Sequence, residues 1–185
     1  MPTPIYVCFY TTGNGYEAEA MELGHTLDRY QLPSDLVAVP PFQDWVAACA
    51  YKPKFLRHMR AKHGPDRPLV WLDADARVRQ YPSLFPEMPT DVDFAAHWKD
   101  GTELLSGTLY FGATRGADRL LNEWAQACHE RPREWDQHVL QNLVDGRTDL
   151  KVEKLPPSYT QIFDVMASAG EPVIEHMQAS RRLRR

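Results

Sequence analysis

Asp73 and Asp75 stand at the end of the apolar run Leu69-Val70-Trp71-Leu72, and their type and spacing point to the chemistry of a hard cation. An apolar run broken by Asp-Ala-Asp reads as a buried strand whose carboxyl end emerges into solvent. In an extended backbone, side chains two positions apart project to one side, so both carboxylates face one point while Ala74 turns away. Mg²⁺ or Mn²⁺ prefers oxygen ligands, takes one or two carboxylates from a protein, and completes its shell with water and phosphate oxygens. A diphosphate is the expected third party. Paired aspartates after a strand also occur as a solvated loop or a helix cap, so the pair needs support from elsewhere in the chain.

The elements around it supply the positioning. Ile5 to Tyr10 is a β-branched and aromatic strand ending in the loop formers Thr11-Thr12-Gly13-Asn14-Gly15. Tyr16 to Tyr30 reads as a helix with Ala20, Met21, Leu27 and Tyr30 inward and Glu17, Glu19, Glu22 and Arg29 mostly outward. Leu36 to Val39 is a second strand. Trp45 to His63 is helical but interrupted near Pro53, a residue best placed in the first turn of a helix starting there, with Phe55, Leu56 and Met59 on its inner face. After the aspartate strand come turns and one helical turn near Leu84-Phe85, strands at 92–96 and 108–111, a helix through Leu120, Leu121, Trp124 and Cys128, and another through Val139 and Leu140. Leu150 to Val152 adds a short strand, and Val173-Ile174 leads into His176. Alternating strands and helices predict an α/β sandwich with a mostly parallel sheet, in which ligands bind beyond the carboxyl ends of the strands. The loop at Thr11 to Gly15 and the aspartate pair share that edge.

Composition narrows the class. The 185 residues suit one domain over 1–185, and 43% hydrophobic with 25% charged residues excludes a disordered or fibrous chain. A net charge of -4 gives no general attraction to nucleic acid or anionic membranes, although Arg181, Arg182, Arg184 and Arg185 cluster near the end. Cys8, Cys49 and Cys128 are odd in number and far apart, which indicates neither a disulfide framework nor a cysteine zinc site and makes the reducing cytoplasm the default. No signal peptide or membrane span is read.

The chain resembles nucleotide-sugar glycosyltransferases of the GT-A type, and the resemblance runs over nearly its whole length. It is carried by the first strand with Thr11-Thr12-Gly13-Asn14-Gly15-Tyr16-Glu17, by Trp45 with Tyr51-Lys52-Pro53-Lys54-Phe55, and by Trp71-Leu72-Asp73-Ala74-Asp75-Ala76. It continues through Ser106 to Phe111, Trp135-Asp136-Gln137, Pro172 to His176, and Ser180-Arg181. Each piece is weak alone; their order and spacing together are specific. The resemblance implies a GT-A-like three-layer α/β/α sandwich and an Asp-x-Asp motif that holds Mn²⁺ or Mg²⁺ against the phosphates of a nucleotide sugar. Asp75 would bind the metal, Asp73 the metal or the donor ribose, and His176 would add a ligand. Arg181, with Arg182 behind it, and Lys52 are the phosphate candidates. Tyr16 would stack on the base, Thr11 would make a polar contact, and Gly107 would let the backbone approach the sugar. Asp136-Gln137 resembles a pair near the donor sugar of retaining members, which favours retention. Asp136 acting as a base for the acceptor hydroxyl would instead give inversion, so both outcomes stay open. The resemblance favours a UDP-sugar donor and leaves the acceptor as a glycan, a protein, a small molecule or a modified DNA base.

Structural roles compete at each position. Trp45, Trp71, Trp124 and Trp135 read as core, Tyr16 as a packing residue, Lys52 as a stem over apolar surface, Gly107 as a turn residue, and Asp136 as a helix cap. Arg184 and Arg185 receive no role. A haloacid-dehalogenase-like phosphatase also carries Asp-x-Asp after a strand, but Ala76-Arg77 departs from its continuation. A sugar nucleotidyltransferase would need a glycine- and lysine-rich loop that the chain lacks. A non-catalytic binding or assembly module with a glycosyltransferase fold is the third alternative.

Overall fold

Leu69 to Leu72 is apolar at every position because both of its faces are covered: Leu69 and Trp71 belong to one core cluster, Val70 and Leu72 to a second on the other face. This computed structural model describes residues 3–166 and 170–183; Arg184 and Arg185 lie outside the described residues. The elements are β1 (Ile5–Thr11), α1 (Tyr16–Arg29), β2 (Ser34–Val39), α2 (Trp45–His63), β3 (Leu69–Leu72), β4 (Ala76–Val78) and α3 (Leu84–Glu87). They continue with β5 (Phe94–Lys99), β6 (Glu103–Phe111), α4 (Arg115–Glu130), α5 (Asp136–Val144), β7 (Val152–Lys154), β8 (Gln161–Ile162), β9 (Ile174–His176) and α6 (Ser180–Leu183).

The central sheet runs β2-β1-β3-β6-β5-β7, and only β6 opposes its neighbours. Phe55 and Leu56 of α2, Leu120 and Trp124 of α4, and Val139 and Leu140 of α5 bury one face. Leu23 and Leu27 of α1, Phe85 of α3, and Val78 and Ile174 of a small β4-β9-β8 sheet bury the other. This is the expected α/β/α layering, with the small sheet sharing one outer layer. Among the described residues no helix is long and apolar enough to cross a membrane.

Several local expectations need correction. Helix α2 runs unbroken through Pro53. A proline inside a helix costs about 3 kcal/mol, whereas burying Phe55 and Leu56 stabilises by roughly 1.5–3 kcal/mol each, so packing outweighs the lost hydrogen bond. Asp44 starts this helix by accepting the Ala47 N–H at 2.8 Å, and Gly64 ends it with φ 88°. In α1, Met21 is 64% exposed while Glu19 is buried, because Arg77 reaches Glu19 across the layer and makes its burial tolerable. Strand β6 extends back to Glu103, β5 is shifted to Phe94–Lys99, and β7 begins only at Val152. Strands β4 and β8, too short to show a period, were not foreseen.

Candidate active site

The two aspartates converge by a turn, not by strand alternation. Strand β3 stops at Leu72, opposite Thr108, and the Ala76 N–H closes on the Asp73 carbonyl at 2.9 Å. Ala74 is buried, as expected for the residue between them. On the far side of the turn, β4 pairs with β9 so that Ala76 faces His176, which delivers the imidazole to Asp75. One ligand atom from each of Asp73, Asp75 and His176 lies within 4.8 Å of the others. Two carboxylates and an imidazole at that separation suit a divalent cation.

Each ligand is held by a second contact. Asp73 Oδ1 accepts the Trp71 indole N–H at 2.9 Å and pairs with Lys52 Nζ at 3.2 Å. Asp75 Oδ2 accepts the Ala179 N–H at 2.7 Å, while its Oδ1 is 3.7 Å from His176 Nδ1. Burial works against the Asp75 carboxylate, but His176, the Ala179 N–H and Arg77 together hold its pKa below the usual value. His176 Nε2 lies 2.8 Å from the buried Thr108 hydroxyl, which fixes the ring and leaves Nδ1 towards Asp75. The residue that approaches Gly107 closely is His176: a Cβ there would sit 2.9 Å from its Cε1. Glycine at 107 is thus required by the ring, which the sequence did not reveal.

Lys52 is buried and reaches several groups at once. Its Nζ lies 3.2 Å from Asp73, 3.3 Å from Asp136, and 3.2 Å from both oxygens of Ser106, above the Trp71 ring. Burial disfavours this ammonium, yet Asp136 and Asp73 outweigh it and raise its pKa. The ammonium is directed at protein acceptors and not presented free to phosphate. Asp136 lies in the first turn of α5, with the Lys52 ammonium and the Gln137 backbone N–H at its buried carboxylate. Burial pushes the Asp136 carboxyl up, Lys52 pulls it down, and Asp73 adds to the rise. Gln137 accepts the Ser106 N–H at 3.1 Å and donates to Glu103 at 3.3 Å, tying α5 to β6.

These groups open on a cavity of about 640 Å³. Thr11, Tyr16, Lys52, Asp73, Asp75, Gly107, Asp136, Gln137 and His176 line it, together with Asn14, whose amide donates to the Thr11 hydroxyl at 2.6 Å. Arg181 does not line it and pairs with Asp164 at 2.5 Å; Arg182 pairs with Glu19. Leu183 of α6 closes over the first loop, where a Cβ on Gly15 would come within 2.9 Å of it. Trp45 and Trp135, read as core, instead line the cavity at partial exposure. Their chemistry alone carried no sign of this, since an aromatic at the end of a helix reads the same in core and in rim.

A mostly parallel sheet, with an acidic pair and a histidine at its carboxyl edge beside a cavity of this size, suits a nucleotide held together with a divalent ion. The chain belongs to the nucleotide-diphospho-sugar transferase family, whose model matches residues 69–181. Solved structures share the fold at low identity. A glycosyltransferase involved in glycosylating the major capsid of PBCV-1 aligns with TM-score 0.76 and 14% identity, over 96% of this chain and 93% of that one. The galactosyltransferase LgtC, solved with donor and acceptor sugar analogs, aligns with TM-score 0.58 and 13% identity over 93% and 86%. The glycosyltransferase GlyE of Streptococcus pneumoniae TIGR4 gives 0.59 and 16%, and this chain covers 95% of itself but 54% of GlyE. No curated protein sequence matches the chain significantly.

Proposed function

We propose that the chain, acting as one domain over residues 1–185, moves a sugar from a UDP-sugar to an acceptor hydroxyl. It does so with Mn²⁺ or Mg²⁺ held by Asp73, Asp75 and His176. The observation that carries this reading is the meeting of those three side chains within 4.8 Å at the wall of one cavity, each held by a partner of its own. When bound, the ion supplies positive charge where the departing diphosphate gathers negative charge. The residues do the rest. Tyr16 and Thr11 hold the nucleoside, and Asp73 meets the ion or the ribose. Arg181, once it exchanges Asp164 for phosphate, adds a guanidinium. Lys52 keeps Asp73 and Asp136 in place. Asp136 and Gln137 face the donor sugar, an arrangement that favours retention, and Gly107 leaves room for the His176 ring and for the sugar beside it.

The acceptor is a glycan, a protein, a small molecule or a modified DNA base. The cysteines Cys8, Cys49 and Cys128, odd in number and far apart in sequence, suit a cytoplasmic setting. Purified protein should release UDP from a UDP-sugar only when Mn²⁺ or Mg²⁺ is present. Asp75→Ala should lower that release at least a hundredfold while circular dichroism stays unchanged. Equal turnover in excess chelator would sink the metal-dependent mechanism, and nucleotide binding without any turnover would indicate a binding module instead.

A further inference from the structure

Two tryptophans stand in the cavity wall. Trp45 opens α2 and Trp135 immediately precedes α5, and their rings lie 5.7 Å apart at 55°. His138 sets its ring across Trp135 at 5.0 Å, bracing the pair. Trp135 nevertheless remains 37% exposed, and Trp45 is only half-buried. Large aromatic rings left partly open in a cavity wall suit a ligand that is apolar on one side and wet on the other.

Position and charge narrow the ligand. Trp135 is next to Asp136, which reaches Asp73 through Lys52 by contacts of 3.3 and 3.2 Å, so the pair borders the end of the cavity where the sugar would be transferred. The nucleoside loop lies instead between β1 and α1. Asp44 and Glu103 line the same cavity, and Lys52, the one lysine or arginine among the described lining residues, is engaged by protein acceptors. Phosphate-rich acceptors need exposed cations to displace their counterions, and among the described residues that line the cavity none is free of protein acceptors. Carboxylates and amides beside an indole face match a neutral pyranose, whose hydroxyls donate to the acids while its C–H face meets the electron-rich ring.

We infer that Trp45 and Trp135 form the acceptor platform and that the acceptor is a neutral glycan; this rests on the transferase reading above. The test is calorimetric titration of the Mn²⁺- and UDP-loaded chain with lactose, maltose and cellobiose. A single-stranded oligonucleotide containing hydroxymethylcytosine and a serine-containing peptide are titrated in parallel. At least one disaccharide should bind. Trp135→Ala should weaken it tenfold or more, Trp135→Phe should retain most of the affinity, and Trp98→Phe, away from the cavity, should change nothing. UDP affinity of each variant reports whether the cavity is intact. The inference is overturned if no disaccharide binds, if Trp135→Ala binds as well as the parent, or if the oligonucleotide or peptide binds more tightly. UDP release from UDP-glucose or UDP-galactose without transfer to any disaccharide defeats the platform alone. Absence of UDP release with disaccharide still bound defeats the transferase reading, and the acceptor assignment with it.

Discussion

Thr108 shows how much a single hydroxyl can do at this site. It is fully buried in β6, and 2.8 Å separates its Oγ1 from His176 Nε2, so it sets which ring nitrogen turns to the acidic pair. Outer contacts of this kind are worth about 10–100-fold in metal affinity. Thr108→Val keeps the volume and removes the hydroxyl; calorimetry should find Mn²⁺ bound roughly tenfold more weakly with the thermal midpoint little changed. An unchanged affinity would mean that packing against Gly107 alone holds the ring. Nothing in the sequence marks Thr108, because its role exists only through a pairing 68 positions away. The acidic pair, by contrast, was legible from adjacent residues. Its geometry was not, since a tight turn and an extended strand begin with the same letters.

Among the elements, the long and strongly patterned ones were readable and the short ones were not. Helix α4 shows its stripe of Leu120, Leu121, Trp124 and Cys128 plainly, and its Thr114 cap accepts the Ala117 N–H at 3.0 Å. Strands β4, β8 and β9 have two or three residues each, and what makes them strands is mutual pairing. Pro53 misled for a related reason: local propensity predicts a break, but tertiary burial decides. One contact between elements makes a pH test. Asp35 of β2 meets Lys62 at 2.6 Å and His63 at 2.7 Å at the end of α2. Burial would raise its pKa, but those two partners outweigh it and hold the carboxyl below the ordinary value. A depressed folded pKa stabilises above the unfolded value of about 3.9 and loses that stability as pH falls through the folded one. Asp35→Asn should therefore lower stability at pH 7 by at most about 1 kcal/mol, as for partly exposed pairs. The difference from the parent should shrink steadily in melts taken as pH falls below the unfolded value of about 3.9.

At the scale of the whole molecule, Lys52 is where distant parts meet: α2 supplies the ammonium, β6 supplies Ser106, the turn after β3 supplies Asp73, and α5 supplies Asp136. Removing one partner of a buried pair leaves an uncompensated charge and costs about 3–5 kcal/mol. Lys52→Met should lose stability of that order in denaturant unfolding at pH 7. Adding Asp136→Asn should recover a good part of it, since the stranded charge disappears. Strict additivity of the two changes would show that the groups do not interact. The pairing of carboxylate to lysine across 84 positions lies beyond periodicity or propensity, and only the resemblance drew Lys52, Asp136 and Asp73 towards one place.

The Ala179 amide that steadies Asp75 lies 104 residues further along the chain. At a ribosomal pace of about 5–20 residues per second, some 5–20 s pass between the synthesis of the acidic turn and the synthesis of the segment that completes it. Throughout that interval the nascent chain carries Asp75 without its histidine or amide partner, so the cluster of Asp73, Asp75 and His176 is completed only after most of the sheet has been synthesised.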